Sequence, residues 1–187
     1  MIAMDNATQR RRLLESLDRS LGTVHRTEIE GGIVQEGTSR GLHAHGPFRQ
    51  WFPNGQLRLE RHYRASQLDG LCRQYSSDGE LLAEFVMTDG DGIFLEYWDT
   101  GKLKIRWWHF HLHDKHCGIM ECFDINGEHA TRTYTWKGGP CRTKKRFMAE
   151  LEKCGLTIPP ADKLNDPAVW AEFARRTREV PPPKKRN

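Results

Sequence analysis

Much that a catalyst or a membrane protein needs is missing from this chain. Its 187 residues contain no G-x-S-x-G, no H-E-x-x-H, no P-loop and no G-x-G-x-x-G. Hydrolysis from a nucleophile elbow, zincin proteolysis and phosphate-cradle chemistry therefore have no support, and no catalytic residue and no cofactor is expected. No run of about 18 apolar residues occurs, so no segment is expected to span a bilayer. The N-terminal MIAMDNATQRRRLLESL lacks the apolar stretch of a secretory signal. The five cysteines, Cys72, Cys117, Cys122, Cys141 and Cys154, are odd in number and form no C-x-x-C pair. Reduced thiols in a cytoplasmic protein are the expectation. The hydrophobic fraction is only 37% and the mean hydropathy −0.74, which suits one domain built as a thin layer of sheet better than a thick globule.

Glycine, by contrast, is plentiful and ordered. Gly46, Gly70, Gly92 and Gly118 each have a second glycine nine positions later, at Gly55, Gly79, Gly101 and Gly127. Five positions after each first glycine stands an aromatic: Trp51, Tyr75, Tyr97 and Phe123. A turn-forming residue precedes each second glycine (Asn54, Asp78, Thr100, Asn126), and Leu57, Leu81 or Leu103 follows two positions after it, with His129 departing in the last copy. The spacings of 24, 22 and 26 residues are those of a stacked repeat, which builds an extended binding surface rather than a buried pocket. Each copy reads as strand, tight turn, strand, with Asn-Gly and Asp-Gly as two-residue hairpin signals. In the second strands Leu57 and Leu59, then Leu81, Ala83, Phe85 and Met87, then Leu103, Ile105 and Trp107 alternate with Arg58, Glu60, Glu84, Lys104 and Arg106. The first glycines are expected to serve positive φ or a close backbone approach.

Residues 7–20 read as a helix, placed by Leu13, Leu14, Leu17 and Leu21. Residues 143–153 read as a second helix, with Phe147, Leu151 and Cys154 on one face and Gly155 as its stop. A third follows Asp166 and Pro167, with Trp170, Phe173, Ala174 and Thr177 at helical spacing. The expected organisation is an N-terminal helix (1–21), a degenerate or capping repeat (22–45), hairpin repeats (46–140), a C-terminal helical segment (141–180) and a basic tail (181–187). The fold expected is mainly β: an open antiparallel meander of hairpins whose edges are covered by the N- and C-terminal helices.

The pattern G-x-x-x-x-[aromatic]-x-x-[Asn/Asp]-G-x-L, best seen in GPFRQWFPNGQLRLERHY and GLCRQYSSDGELLAEF, resembles the MORN-repeat variant of bacterial YwqK-like proteins. It covers about residues 46–137. The resemblance implies a binding protein of the antitoxin or immunity type, not an enzyme, acting on a protein partner such as a toxin. No small-molecule substrate is implied. The alternative it implies is a scaffold for a protein assembly or an anionic membrane surface. The absent leucine after Gly127 puts the second strand of the fourth copy in question.

Three groups of side chains stand outside the repeat. Trp98 and Trp108, with Arg106 and Arg73, are the expected partner contacts, because large aromatics beside arginine dominate interfaces. The position-five aromatics are expected to pack between hairpins instead. His109, His111 and His113 alternate on one strand, with His116 and Cys117 following. The preferred reading is a polar strand face without a metal, His109, His111, His113 and Cys117 being the ligand candidates if one binds. Cys117 or Cys122 paired with a histidine as nucleophile has little to support it. The C-terminal segment 141–187 carries 12 basic and 6 acidic residues. A membrane or nucleic acid would bind there, but the charges are mixed and a solvated face is preferred.

Overall fold

The computed structural model of the protein describes residues 22–141 and 143–182. The helix expected over 7–20 and most of the basic tail lie outside these residues. The chain forms one antiparallel meander: β1 (Thr23–Ile29), β2 (Ile33–Arg40), β3 (His43–Trp51), β4 (Leu57–Arg64), β5 (Gln67–Leu68), β6 (Gly70–Tyr75), β7 (Leu81–Thr88), β8 (Asp91–Tyr97), β9 (Leu103–Leu112), β10 (Lys115–Phe123), β11 (His129–Trp136) and β12 (Gly139–Cys141). Neighbours in sequence are neighbours in the sheet, except that the short β5 pairs with β4 beside β6. Residues 22–45 continue the sheet as β1 and β2 and the start of β3. The fourth copy keeps its second strand, β11, despite His129.

The repeat glycine sits in a turn different from the one its dipeptides suggest. In the first full copy the Phe52 amide donates to the Gln56 carbonyl at 2.8 Å, and the Gly55 amide donates to the Phe52 carbonyl at 2.9 Å. The other three copies repeat this pair of bonds at Ser76, Trp98 and Asp124. This is a three-residue loop, a type I turn closed by one left-handed residue. Only the glycine has positive φ (+84° at Gly55), not the residue before it. Hence Thr100, a β-branched residue unsuited to positive φ, replaces Asn without penalty. A bulge stands just before each loop, at Gln50/Trp51, Gln74/Tyr75, Glu96/Tyr97 and Cys122/Phe123. The position-five aromatic is thus the last residue of its strand, one before the loop opens. Two-residue turns with both centres at positive φ do occur, at the opposite end of the sheet: Ala65-Ser66, Asp89-Gly90, His113-Asp114 and Lys137-Gly138.

Strand register assigns the faces. Leu59, Cys72, Ala83, Phe85, Met87, Phe94, Trp107 and His109 share one side. It is the inside of a curl, since Arg61 of β4 reaches over the ring of Phe94 on β8 at 5.0 Å, across the two intervening strands. The outer side carries Ile93, Trp108, Phe110, Leu112, Cys117 and Ile119. Helices α1 (Lys144–Lys153) and α2 (Pro167–Arg178) lie on that outer side. Thr143 caps α1 by accepting from the Arg146 amide at 3.2 Å. Asp166 caps α2 by accepting from the amides of Ala168 and Val169. Their apolar stripes, Phe147 and Leu151, then Trp170, Phe173, Ala174 and Thr177, are buried as the spacing requires. The C-terminal helices therefore cover a sheet face and not, as expected, a sheet edge. The reason lies in β9, whose outer side is apolar along its C-terminal half (Trp108, Phe110, Leu112) and needs a second layer.

Outside the helical cover, the outer face is polar in a regular way. Across the strands Arg26 faces Glu36, which faces Arg49, then Glu60, Arg73 and Glu84. The Arg49 Nε and Arg73 Nε donate to Glu60 and Glu84, each at 2.8 Å. Beyond Leu95 the row resumes as Arg106, Glu121 and Arg132.

Candidate functional site

Two features of the sheet have the chemistry of a site: a histidine cluster on the inner face and an apolar groove on the outer face.

The cluster arises from strand geometry. His109 and His111 are two apart on β9 and so project to the same side. His116 of β10 stands directly opposite His111 in the register. His109 and His111 are 5% and 8% exposed, while His116 is open to solvent. Protons can be placed from the partners. The Nδ1 of His109 faces the Gly90 carbonyl, which only accepts, so Nδ1 is protonated and Nε2 carries a lone pair. The Nδ1 of His111 lies 2.7 Å from Asp91 Oδ1, which fixes the same tautomer. His116 Nδ1 then donates to His109 Nε2 at 3.0 Å. Burial pushes the His109 imidazole down to about 4 and also lowers His116, each helped by neighbouring histidines. Both are neutral at pH 7. The orienting groups are held in turn. Arg178 of α2 donates through Nε to Asp91 at 2.8 Å and through Nη1 to Asp89 at 3.0 Å. On the outer side, the Trp170 indole and the Thr177 hydroxyl of α2 donate to the carbonyls of His109 and His111 at 3.1 and 2.7 Å. A Cβ at Gly90 would stand 2.9 Å from His111 Cε1, so this turn accepts only glycine without displacing the ring.

The groove lies where β7 and β8 pair at only two positions, Met87–Gly92 and Thr88–Asp91. It is a cleft of about 680 Å³ between α2 and β6–β8, lined among others by Leu71, Val86, Leu95, Pro167, Ala168 and Ala171. Val86 at its rim is 61% exposed.

Residues 44–65 and 90–110 match the MORN repeat variant. These stretches are the first and third full copies, β3–β4 and the β8–β9 hairpin with its preceding turn. MORN repeats are associated with binding and scaffolding roles. Residues 70–87 and 118–136 fold as the same bulged hairpin outside the matched stretches. No curated protein matches the chain. Among the described residues no helix is long and apolar enough to cross a membrane.

The structure redistributes the expected site residues. His109 and His111 come together as the alternation predicts. His113 does not join them: it is the first residue of a two-residue turn (φ +52°), and its Nε2 meets the Pro181 carbonyl at 3.0 Å. Cys117 is excluded by parity, since it pairs with Phe110 and points into the helix-side core. Burial pushes its thiol up to about 11, which also removes it as a nucleophile. His116 replaces both, brought in by the cross-strand register that the turn at 113–114 sets. Trp108 is 2% exposed and donates to the Leu164 carbonyl at 2.8 Å, so it anchors the helices and is not a partner contact. Arg73 and Arg106 belong to the charge row, on strands separated by β7 and β8. Arg106 also lies over Trp108 at 5.5 Å. Trp98 opens the third loop, at a position filled by Phe52 in the first copy, beneath Lys104 Nζ at 4.7 Å. These four residues form no common patch. Among the described C-terminal cations, Lys153 pairs with Glu150, Arg175 with Glu172 and Glu179, and Arg178 with Asp89 and Asp91.

Proposed function

We propose that this chain is a non-catalytic binding protein that recognises a protein partner, in the manner of the antitoxin and immunity proteins its repeats resemble, and that it acts by occluding the partner's surface. The observation that carries this reading is the groove beside α2. On the outer face of the sheet an apolar cleft with an exposed valine at its rim is framed by Glu84, Arg175 and Arg178. An apolar centre with a charged rim is the anatomy of a protein interface. At the rim of the groove Arg175 and Arg178 are both paired with carboxylates, which favours a protein partner there over an anionic membrane.

The test is affinity capture from the native host through a tag other than polyhistidine, with Val86→Asp and Ala171→Arg as paired controls. Both positions line the groove, and Val86 is exposed, so its substitution leaves folding intact. The expected result is one stoichiometric partner, harmful when expressed alone and neutralised by co-expression, lost with either variant. Capture unaffected by both variants, or salt-sensitive binding to anionic vesicles instead, refutes the reading.

A further inference from the structure

We infer that His109, His111 and His116 form a binding site for one zinc-class divalent transition-metal ion on the inner face of the sheet. One imidazole nitrogen from each lies within 4.8 Å of the other two. Zinc bonds of about 2.0–2.1 Å in tetrahedral geometry place ligand nitrogens roughly 3.3 Å apart. Closing the set to that spacing takes small side-chain rotations, and His116, the exposed member, has room to make them.

The arrangement is more specific than three neighbouring rings. His109 and His111 each spend Nδ1 on a fixed acceptor, the Gly90 carbonyl and the Asp91 carboxylate. Both therefore keep Nε2 as the lone-pair nitrogen, that of His109 toward His116 and that of His111 beside the Gln67 amide. An outer acceptor that fixes tautomer and ring angle is the hallmark of ligating histidine, and a carboxylate in that position raises the ligand's basicity. The third nitrogen, His116 Nδ1, fills the gap by a hydrogen bond to His109 Nε2. Metal entry replaces that hydrogen bond: neutral His116 moves its proton from Nδ1 to Nε2 and ligates through Nδ1, so no net proton need be released. Three neutral nitrogens suit zinc, nickel or copper and not calcium or magnesium, which take oxygen. The Gln67 side-chain amide, 3.4 Å from His111 Nε2, is the neighbour an ion would displace from that lone pair. A bound ion would tie β9 to β10 and, through Asp91 and Arg178, to helix α2.

The experiment is titration of the tag-free full chain with Zn²⁺ by calorimetry, together with the thermal midpoint with and without the ion. One ion per chain and a raised midpoint are expected. His116→Ala should lower affinity at least tenfold; because it also removes the donor to His109 Nε2, the quantity compared is the rise in midpoint on adding the ion, which should disappear. Asp91→Asn should lower affinity by about 10–100-fold. His43→Ala and His45→Ala, outside the cluster, should change nothing. Absence of saturable binding overturns the inference. So does binding of several ions, or binding that survives His116→Ala. The groove variants Val86→Asp and Ala171→Arg should bind zinc normally, so this test and that of the partner fail independently.

Discussion

Trp108 and Trp98 are both large aromatics that depart from the position-five pattern, yet the structure gives them opposite roles, and one pair of substitutions tests the difference. Trp108→Phe removes an indole from a 2% exposed site among Phe110, Trp170 and Phe173 and deletes the donor to the Leu164 carbonyl. The lost bond costs about 0.5–1.5 kcal/mol, or up to about 3 if the carbonyl stays dry and unpaired. The missing ring atoms leave a void worth a further 1 kcal/mol or so, at about 24 cal/mol per Å³ of residual cavity. A total near 2–3 kcal/mol is expected. This is a large share of the roughly 5–15 kcal/mol that a domain typically has. Trp98→Phe deletes a longer bond, 3.3 Å to the Phe123 carbonyl, at a half-buried loop position, and Phe52 shows that phenylalanine fits there. It should cost under about 1 kcal/mol. Urea unfolding monitored by far-UV circular dichroism gives both values as shifts in midpoint at constant m. Equal shifts, or a larger one for Trp98→Phe, would refute the assignment of Trp108 to a helix-anchoring core.

Two repeat glycines separate by mechanism. Gly55→Ala puts a side chain at φ +84° with open space around it and should cost about 1–2 kcal/mol. Gly118→Ala has no φ penalty but sets a Cβ 2.5 Å from the Trp108 carbonyl oxygen and 2.7 Å from the Trp107 indole nitrogen. It should cost more and broaden the unfolding transition, again read by urea. In the presence of a chelator, acid should destabilise the fold. His109 is neutral when folded down to about pH 4 but protonates near 6.5 when unfolded, so the unfolded state binds more protons in that window. Stability present above pH 6.5 falls as pH drops to about 4, by about 3 kcal/mol in total from this group. Asp91, His111 and His116 face it, and His109→Gln should flatten the profile between those limits. Arg178→Gln leaves the Asp91 carboxylate, 5% exposed, with His111 alone. Because Arg178 is itself partly solvated, the loss should be about 1–3 kcal/mol by the same assay.

The sequence carries the meander and both helices because their signals are local. The glycine pair, the position-five aromatic and the Asp166-Pro167 start each act within a few residues. What was not legible is set by parity and by long-range cover. Alternation along 107–113 places His109 and His111 together, but His113 falls in a turn whose two residues carry no glycine, His113 at +52° and Asp114 at +58°. That turn ends the alternation, reverses the chain, and delivers His116 opposite His111. The same parity sends Cys117 and Trp108 to the far side. Trp108, Phe110 and Leu112 alternate with Trp107, His109 and His111, so the strand reads as continuously non-charged. Such a run signals burial on both faces, and here that means helices outside and histidines within.

The charge row explains how an open sheet of this length tolerates its uncovered outer face. Each hairpin of the first two full copies puts Arg on its first strand and Glu on its second, Arg49 with Glu60 and Arg73 with Glu84. A third copy of the same kind would have put Arg at 95 and Glu at 106. Instead Leu95 stands where α2 descends, packed against the helix core, and Arg106 takes the second-strand position. The fourth copy then inverts the pair, Glu121 with Arg132. The inversion is required: with Arg106 on β9, an arginine at 121 would place like charges directly opposite, which is destabilising, whereas Glu121 accepts from Arg132 at 2.9 Å and meets Arg106 at 3.5 Å. One apolar substitution under a helix thus shifts the charge alternation by one strand without ever setting two like charges side by side. The repeats are therefore adjusted to their neighbours. Moving any one of them within the array should cost stability, although its own hairpin geometry would be unchanged.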